Sequence, residues 1–443
     1  MTSGGPATLV LKFADVGVAT YASLRVIGDR SRTVTWVVEE PFLVAAQAMI
    51  GAALPVPSGG ETTAEALSRA LTTGPFADPD IELRASCQLG LLLLSQEAWA
   101  LLESCIAEPR PVLHITPTAR LATIPFAMMA LPTAFPTAEE MVAAKQGAVS
   151  TSGEVEARLP WESEDFDEFT DGYRLMELAD VVLSPPVSIV ASASHTPPRR
   201  GRDRTPPILV LDPKVPGQRP DSPLGSVLGR PTPESAVATH FGSVDVFRRT
   251  DTDRVWLSDA LQRGPSRMMF VGHASAAPGE VGYAERAAIH LSCDGSVSGR
   301  AEVVGSHRPF TAADLMAEPA RWPMPPRVAL VACDSGADYR FDEAHGMVAA
   351  MVLAGAELVT ATLWSLPTTA GYRRFTGADT VSDGFDPMAE LIIAVDTAHE
   401  SADAALTLAR WQRAQMRRWR SGDRRAHPIY WGSLVTFVSS GHG

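Results

Sequence analysis

Cysteine is scarce in this chain of 443 residues, and its placement excludes two common uses. The four cysteines, Cys87, Cys105, Cys293 and Cys333, lie far apart, and no two of them form a C-x-x-C pair. Structural zinc sites and disulfide frameworks are built from cysteines at closer, regular spacings, so the sequence indicates neither. Burial or chemical reactivity remains as the use of each cysteine.

Long apolar runs are also missing. No uninterrupted run of leucine, isoleucine and valine exceeds four residues, as in the four leucines at 91–94, whereas a membrane-spanning helix needs roughly 20 apolar residues. Residues 1–6 lack the basic start and the continuous apolar core of a signal peptide. These absences predict a cytoplasmic protein that does not associate with a membrane.

Positive charge is in deficit. The chain has 38 lysines and arginines against 51 aspartates and glutamates, for a net charge of -13. Nucleic acids and anionic membranes reward a basic surface, so general binding to either partner is excluded. Hydrophobic residues at 45% and charged residues at 20% are ordinary for a globular protein. This balance, at this length, favours a soluble enzyme of two domains.

Two sequence signatures are absent as well. The chain shows no repeated period, so no tetratricopeptide array precedes the later part of the chain. It also has no G-x-S-x-G segment, the strand-to-helix turn that carries the nucleophile of many serine hydrolases. A serine hydrolase of that type is therefore disfavoured.

The first 80 residues predict a small sheet followed by helices. Apolar and polar residues alternate over 8–13, 20–26 and 33–38, with Gly or Asp between the runs, which is typical of an antiparallel meander. Helices are expected over 45–53, 64–71 and the leucine-rich segment 87–105. We assign residues 1–80 to an N-terminal region that senses a signal or docks a partner.

Residues 81–443 predict an α/β domain. A strand at 111–117 is followed by a turn and an apolar helix start at 121–131. Strand-like apolar runs then occur at 208–211, 244–247, 268–271, 328–331, 358–362 and 434–438, and helical segments at 344–354 and 388–420. Strands that alternate with helices favour a doubly wound, mostly parallel sheet with helices on its faces.

Two segments interrupt this pattern. Residues 134–171 are rich in acidic residues, and 191–234 are rich in proline and arginine. Both are interpreted as solvated insertions; an acidic docking site is the alternative for the first. Within the second, the loop 195–206 is either an ordinary surface loop or a site of autocleavage.

A histidine and a cysteine end two of the predicted buried strands. The run 267–272 leads into His273, and the run 327–332 leads into Cys333. Because the carboxyl ends of parallel strands open onto one crevice, the two side chains are expected to face the same opening. A neutral imidazole can accept the thiol proton, and the thiolate is a competent nucleophile without a metal or a cofactor.

Blander interpretations stay open for these residue types. Cys333 can be a small buried hydrophobe, as free cysteine commonly is. His114 and His290 lie within strand-like runs and are interpreted as core or edge histidines, while His345 is placed to support a site near Cys333. His427 and His442 have no nucleophile near them in sequence.

The C-terminal helical segment interleaves arginine with tryptophan. The arginines are Arg410, Arg413, Arg417, Arg418 and Arg420, and the tryptophans are Trp411 and Trp419. Such interleaving occurs in nucleic-acid binders. The spacing of Leu408, Trp411, Gln415 and Trp419 nevertheless puts them on one helix face, so we interpret that face as packed on the sheet.

Five motifs in a fixed order resemble the CHAT family of caspase-like peptidases over about residues 80–443. They are Gly-His-Ala-Ser at 272–275, Ala-Cys-Asp-Ser-Gly at 332–336, Ala-Gly-Ala at 354–356, Leu-Trp at 363–364 and His-Pro-Ile-Tyr-Trp at 427–431. The segments 115–117, 124–126 and 183–186 are similar to the opening of that family's domain. Each motif is short, and their order makes the resemblance specific.

The resemblance implies a caspase-like cysteine endopeptidase whose catalytic residues are His273 and Cys333. It also implies that backbone amides of Ala274 and Cys333 hold the oxyanion, and that acidic side chains receive a basic residue before the cut. The acidic candidates are Asp334, Asp338, Asp342 and Glu343. Where the family has acidic residues after Leu-Trp, this chain has Pro-Thr-Thr at 367–369.

The same resemblance implies a protein substrate, no cofactor and a latent enzyme that an activating partner protein switches on. Members of the family are linked to bacterial defence and programmed death. The competing interpretation is a non-catalytic scaffold that binds a protein through the acidic insertion or the N-terminal sheet, although a scaffold needs neither His273 nor Cys333.

Overall fold

The computed structural model describes residues 6–106, 109–130, 174–193, 205–219, 224–275, 284–333, 342–376 and 385–439. The chain forms two compact units. The first contains residues 1–54, 68–184 and 409–428, and the second contains residues 55–67, 185–408 and 429–443. The division at residue 80 that the sequence suggested stays a prediction.

The first unit is organised around five strands: β1 Thr8–Asp15, β2 Ala19–Val26, β3 Asp29–Glu39, β4 Val112–Thr116 and β5 Asp180–Leu183. Their order is β3-β2-β1-β4-β5. β1, β2 and β3 pair antiparallel, which confirms the predicted meander. β1 also pairs in parallel with β4, and β4 with β5. The alternating residues Leu9, Leu11 and Phe13 are buried, as the pattern of β1 requires.

The described residues of the second unit form seven strands: β6 Ile208–Leu211, β7 Arg267–Ser275, β8 Ala288–Ile289, β9 Phe310–Thr311, β10 Arg327–Cys333, β11 Leu358–Thr362 and β12 Leu434–Val438. β6, β7, β10 and β11 are parallel neighbours in that order. β12 pairs antiparallel with β11. The short β8 and β9 continue from the end of β7 in antiparallel pairing. Residues 267–273 of β7 are all buried, as expected for a parallel strand covered on both faces.

The helices lie between these strands along the chain. Those of eight or more residues are Glu40–Ala53, Thr63–Thr72, Pro79–Leu93, Gln96–Glu103, Arg254–Gln262, Asp342–Leu353, Thr369–Thr376, Pro387–Glu400 and Ala404–Arg420. The shorter ones are Leu175–Leu178, Val187–Ser192, Ala236–Phe241, Ala312–Ala317 and Pro428–Trp431. The sequence-based expectation of an α/β protein with parallel strands and flanking helices is confirmed at this level.

Two segments that the sequence predicted as single helices are each divided by a polar cap. The leucine-rich segment breaks at Ser95, whose hydroxyl accepts from the amide of Ala98 and begins a new helix. The segment 388–420 breaks after Ser401, and Asp403 accepts from the amide of Leu406 at 2.9 Å. A capping side chain accepts a hydrogen bond from a backbone amide in the first turn of a helix, an amide that has no partner within that helix. Each cap therefore favours the start of a new helix at its position.

Two other local predictions were wrong. The segment expected as a strand at 244–247 forms the 3-10 turn Val244–Val246, because Ser243 caps it by accepting from the amide of Asp245. The helix start expected from 121 is replaced by the 3-10 turns Ala119–Leu121 and Phe126–Met128. Pro125 lies between these two turns and cannot donate the hydrogen bond that a continuous helix needs.

The predicted burial of one face of the C-terminal helix is confirmed, and its packing on the sheet stays a prediction. Leu408, Gln415 and Trp419 are buried, and Trp411 is half-buried. One of its arginines is buried as well: Arg413 donates to the carbonyl of Met176 at 2.9 Å and pairs with a carboxylate oxygen of Asp180 at 2.8 Å. A hydrophobicity pattern cannot distinguish such an internal ion pair from a solvated charge.

Candidate functional site

The site predicted from sequence lies at the carboxyl ends of β7 and β10 in the second unit. These strands are parallel neighbours, and their register pairs Cys333 with His273. The two residues are the last pair of that ladder. Directly opposed Cα positions on neighbouring strands lie within about 5 Å of one another. The backbone thus brings the thiol-bearing and imidazole-bearing residues, 60 positions apart in sequence, to one end of the sheet.

β10 follows two prolines and is held by its neighbouring strands near its end. Two prolines at 325–326 precede it, and Val328, Ala329 and Val331 in its interior are buried. Near its end, the amide of Ala332 donates to the hydroxyl of Thr362 on the neighbouring β11 at 3.3 Å. The last residues of β10 are therefore held from both sides, by β7 and by β11.

His273 is buried, with 3% of its surface exposed. Its Nε2 lies 3.0 Å from the carbonyl oxygen of Gly225. A carbonyl oxygen only accepts, so Nε2 of the neutral ring carries the hydrogen and donates it. The basic lone pair of that ring is consequently on Nδ1. The Gly225 carbonyl therefore selects the tautomer in which Nδ1 is the proton acceptor.

The loop that presents Gly225 is fastened by a carboxylate at the end of β6. Asp212 is fully buried and accepts from the hydroxyl of Ser226 at 2.5 Å and from the amide of Val227 at 3.1 Å. Arg248 donates from Nη1 both to Asp212 at 3.1 Å and to the carbonyl of Gly225 at 3.0 Å. Sequence reasoning missed this network. The aspartate that follows the apolar run 208–211 was the one available signal.

A chain of polar side chains lies on the other side of His273. The amide of His290 donates to the carbonyl of His273 at 3.0 Å. The ring of His290 is 2.8 Å from the hydroxyl of Ser275 through Nε2 and 2.9 Å from Nε2 of His307 through Nδ1. His290 and His307 are both buried. The interpretation of His290 as a hydrogen-bonded core histidine is confirmed, and its partners fasten the exit of β7.

The buried position of His290 predicts a pH dependence of stability. Burial, followed by the neighbouring His307 and His273, lowers the pKa of His290 from its ordinary 6.5 to about 3. Between these values the unfolded chain binds a proton that the folded chain does not, so stability is lost as the pH falls below 6.5. His290→Gln should reduce this loss by about 1.4 kcal/mol per pH unit between pH 6 and 4.

Urea unfolding of both proteins at four pH values measures the difference. The matched variant is His399→Gln, since burial also lowers the pKa of His399 to about 3. It should flatten the profile by a similar amount. Parallel profiles of wild type and His290→Gln would show that His290 titrates normally in the folded protein.

The structure describes some of the remaining predicted site residues and not others. Ala274 is half-buried and lies opposite Ile289 in the β7–β8 register. Asp342 and Glu343 are the first two residues of the helix Asp342–Leu353. Asp334 and Asp338 lie outside the described residues, as do the acidic insertion 134–171 and most of the loop 195–206. Their proposed roles stay predictions.

Metal clusters and membrane-spanning helices are the remaining features to consider in the described residues. Within the described ranges, no group of three or more His, Cys, Asp or Glu residues is arranged to hold a metal ion. Among the helices that the structure describes, none combines the length and the apolar character needed to cross a membrane.

Comparison with known proteins gives weak similarity to solved structures. No protein-family model matches the chain, and no curated protein matches it. The fold is similar to separase in the crystal structure of the Saccharomyces cerevisiae separase–securin complex, with 10% sequence identity and a TM-score of 0.38. The similarity covers 98% of this chain and 30% of that chain, so this chain spans about a third of the neighbour's length. Likeness of this degree is too weak to assign an activity or a partner.

Proposed function

We propose that this protein is a cysteine endopeptidase of caspase-like, doubly wound fold, in which His273 and Cys333 hydrolyse a peptide bond of a partner protein. The observation that supports it is the register of β7 and β10, in which His273 and Cys333 form the last pair of the ladder. The tautomer that Gly225 selects adds to this support, because it makes Nδ1 of His273 the basic nitrogen.

The reaction proceeds through an acyl-enzyme. Nδ1 of His273 takes the proton of the Cys333 thiol, and the thiolate adds to the scissile carbonyl carbon. The tetrahedral intermediate collapses, the C–N bond breaks, and the amine leaves with the proton from His273. Water then gives a proton to His273 and adds to the thioester carbonyl, and collapse releases the acid and restores the thiol.

The developing oxyanion needs donors that are fixed before the reaction begins. In the proposed mechanism these are the backbone amides of Ala274 and Cys333, which belong to the last residues of β7 and β10. Gly225 and Asp212 contribute by fixing the ring of His273 and the loop behind it. A site organised in this way loses little free energy to rearrangement during the chemical step.

Specificity and regulation belong to the same proposal. Asp334, Asp338, Asp342 and Glu343 follow Cys333 in sequence, and a carboxylate among them would pair with an arginine or lysine before the cut. The enzyme acts in the cytoplasm, stays latent until a partner protein activates it, and serves in bacterial defence or programmed death. These last assignments rest on the sequence resemblance to CHAT peptidases.

The test is covalent labelling of the nucleophile. The protein is incubated with a thiol-directed acylating peptide probe that ends in arginine, and intact mass is measured for wild type and for Cys333→Ala. We expect a single adduct on wild type and none on the variant. The matched control is Cys293→Ala: Cys293 is a buried cysteine of the same unit with 0% exposure, so its replacement should leave labelling unchanged.

The same experiment separates the alternative, a non-catalytic scaffold. A scaffold would give no adduct with the arginine probe or with a probe of neutral side chain, even after addition of cell lysate to supply an activator. Labelling by the neutral probe alone would keep the peptidase and remove the basic specificity. Equal labelling of wild type and Cys333→Ala would show that another residue reacts.

A further inference from the structure

The network that fixes the Gly225 loop contains strained backbone. Among the described residues, only two that are not glycine adopt a left-handed backbone: Asp212 with φ of 50° and Arg248 with φ of 52°. Such conformations cost about 1–3 kcal/mol each and persist where the surrounding structure imposes them. Both residues belong to the network that fixes Gly225, and they pair with each other at 3.1 Å. The strain is therefore located where the acceptor of His273 is positioned.

A cavity opens beside this network. Its volume is about 350 Å³, and Ser226, Gly229 and Arg248 form part of its wall. Lys214 and Arg230 also line it, and both are exposed to solvent. Within the described part of the chain, no carboxylate lines this cavity. Three cationic side chains thus surround a space in the size range of small-ligand sites.

The cationic side chains of this cavity have hydrogen-bond donors that a ligand could use. Both hydrogen bonds that the Arg248 side chain makes to described residues leave from Nη1, so its Nη2 and Nε donors remain for another acceptor. Neither Lys214 nor Arg230 makes an ion pair with a described carboxylate. A planar guanidinium with two adjacent donors fits the oxygens of a phosphoryl group, and charge-assisted bonds of this kind are the strong ones.

We propose that this cavity binds a small phosphate-bearing anion through Lys214, Arg230 and Arg248, and that the bound anion activates the enzyme by fixing the loop that holds His273. Binding at Nη2 and Nε leaves the Nη1 bonds to Asp212 and Gly225 in place. The anion offsets the repulsion among three neighbouring cations and immobilises Ser226 and Gly229. The loop conformation in which the Gly225 carbonyl accepts from Nε2 of His273 is then populated more fully. The reactive tautomer of His273 is populated more fully with it.

The activating effect rests on the proposed peptidase function, whereas the binding site does not. The two are measured separately. Isothermal titration calorimetry follows inorganic pyrophosphate binding to the full chain, with chloride at matched ionic strength as the reference. The test variant is Lys214→Gln/Arg230→Gln, which removes two exposed cations and leaves the Asp212–Arg248 pair intact. The matched control is Arg249→Gln, because Arg249 pairs with Asp251 and does not line the cavity.

We expect saturable pyrophosphate binding to wild type and to Arg249→Gln, and an affinity roughly tenfold or more lower for the double variant. Absence of saturable binding, or equal affinity in all three proteins, would overturn the site. An acidic peptide that binds while pyrophosphate does not would overturn the ligand class. Circular dichroism of the double variant shows whether it is folded.

The activity measurement is the rate of Cys333 acylation by the peptide probe with and without pyrophosphate. We expect acceleration in wild type and in Arg249→Gln, and none in the double variant. Binding without acceleration would overturn the regulatory role and leave the site in place. Binding with no acylation of any variant would instead count against the peptidase function.

Discussion

Replacing His273 by alanine should lower the rate of peptide hydrolysis by about 10²–10⁴-fold, the usual contribution of a positioned general base. The reason is that at neutral pH a cysteine thiol with an ordinary pKa is mostly protonated, and only the thiolate attacks readily. The register places His273 opposite Cys333, and the bond from its Nε2 to Gly225 leaves Nδ1 as the base. The measurement is the steady-state rate of hydrolysis of a fluorogenic peptide that has the same sequence as the probe that labels Cys333.

The matched control for this experiment is His114→Ala. His114 lies in β4 of the first unit and is half-buried, and its Nδ1 is 3.3 Å from the hydroxyl of Ser184. Its loss should leave hydrolysis nearly unchanged. If His273→Ala retained more than a tenth of the wild-type rate while remaining folded, His273 would not be the general base. Raising the pH should partly rescue the variant, since hydroxide can ionise the thiol in place of the missing imidazole. A merely misfolded variant would gain nothing.

Replacing Glu82 by alanine should lower the free energy of unfolding by about 3–5 kcal/mol, the cost of leaving one charge of a buried pair uncompensated. Arg174 and Glu82 are both fully buried. The guanidinium of Arg174 donates two parallel hydrogen bonds, of 2.6 and 2.9 Å, to the carboxylate of Glu82. Ser86 adds a hydrogen bond of 2.7 Å to the carboxylate. In Glu82→Ala the guanidinium stays in a space without its counter-charge. Urea denaturation followed by circular dichroism measures the loss.

A second pair in the same unit provides the control. Glu40 and Arg120 make the same two-bond contact at 2.6 and 2.7 Å, but their side chains are 44% and 25% exposed. Solvent screens an exposed pair, so Glu40→Ala should cost much less than Glu82→Ala. Joint replacement, Glu82→Leu with Arg174→Met, should recover much of the loss because no unpaired charge remains. Equal losses for the two glutamate variants would contradict the buried-pair argument.

The local elements of this fold were largely readable from the sequence. Alternation over 8–13 and 20–26 predicted the antiparallel strands β1 and β2, because one face of that meander is buried and the other is not. The continuous apolar runs before His273 and Cys333 predicted β7 and β10, because strands covered on both faces need no polar positions. The end of β10 at Cys333 was also predicted, since serine and glycine mark the turn after it. β7 instead continues past His273 to Ser275, where it pairs with β8.

Where local prediction failed, a side chain competed with the backbone pattern. Ser243 converts an apolar run into a 3-10 turn, and Ser95 and Asp403 divide long helical segments. Each does so through one hydrogen bond to a nearby amide, whose free energy is comparable with the propensity differences that guide sequence-based prediction.

By itself, then, the sequence determined the type of most elements and placed His273 and Cys333 near the carboxyl ends of the central strands, because periodicity and turn chemistry act over a few neighbouring positions. Only the tertiary structure decided that His273 and Cys333 share a register and that Gly225 sets the histidine tautomer. It alone placed Asp212 beside Arg248, and Glu82 beside Arg174 at a distance of 92 residues in sequence. Such contacts depend on which strands and loops become neighbours, and local periodicity carries no record of that choice.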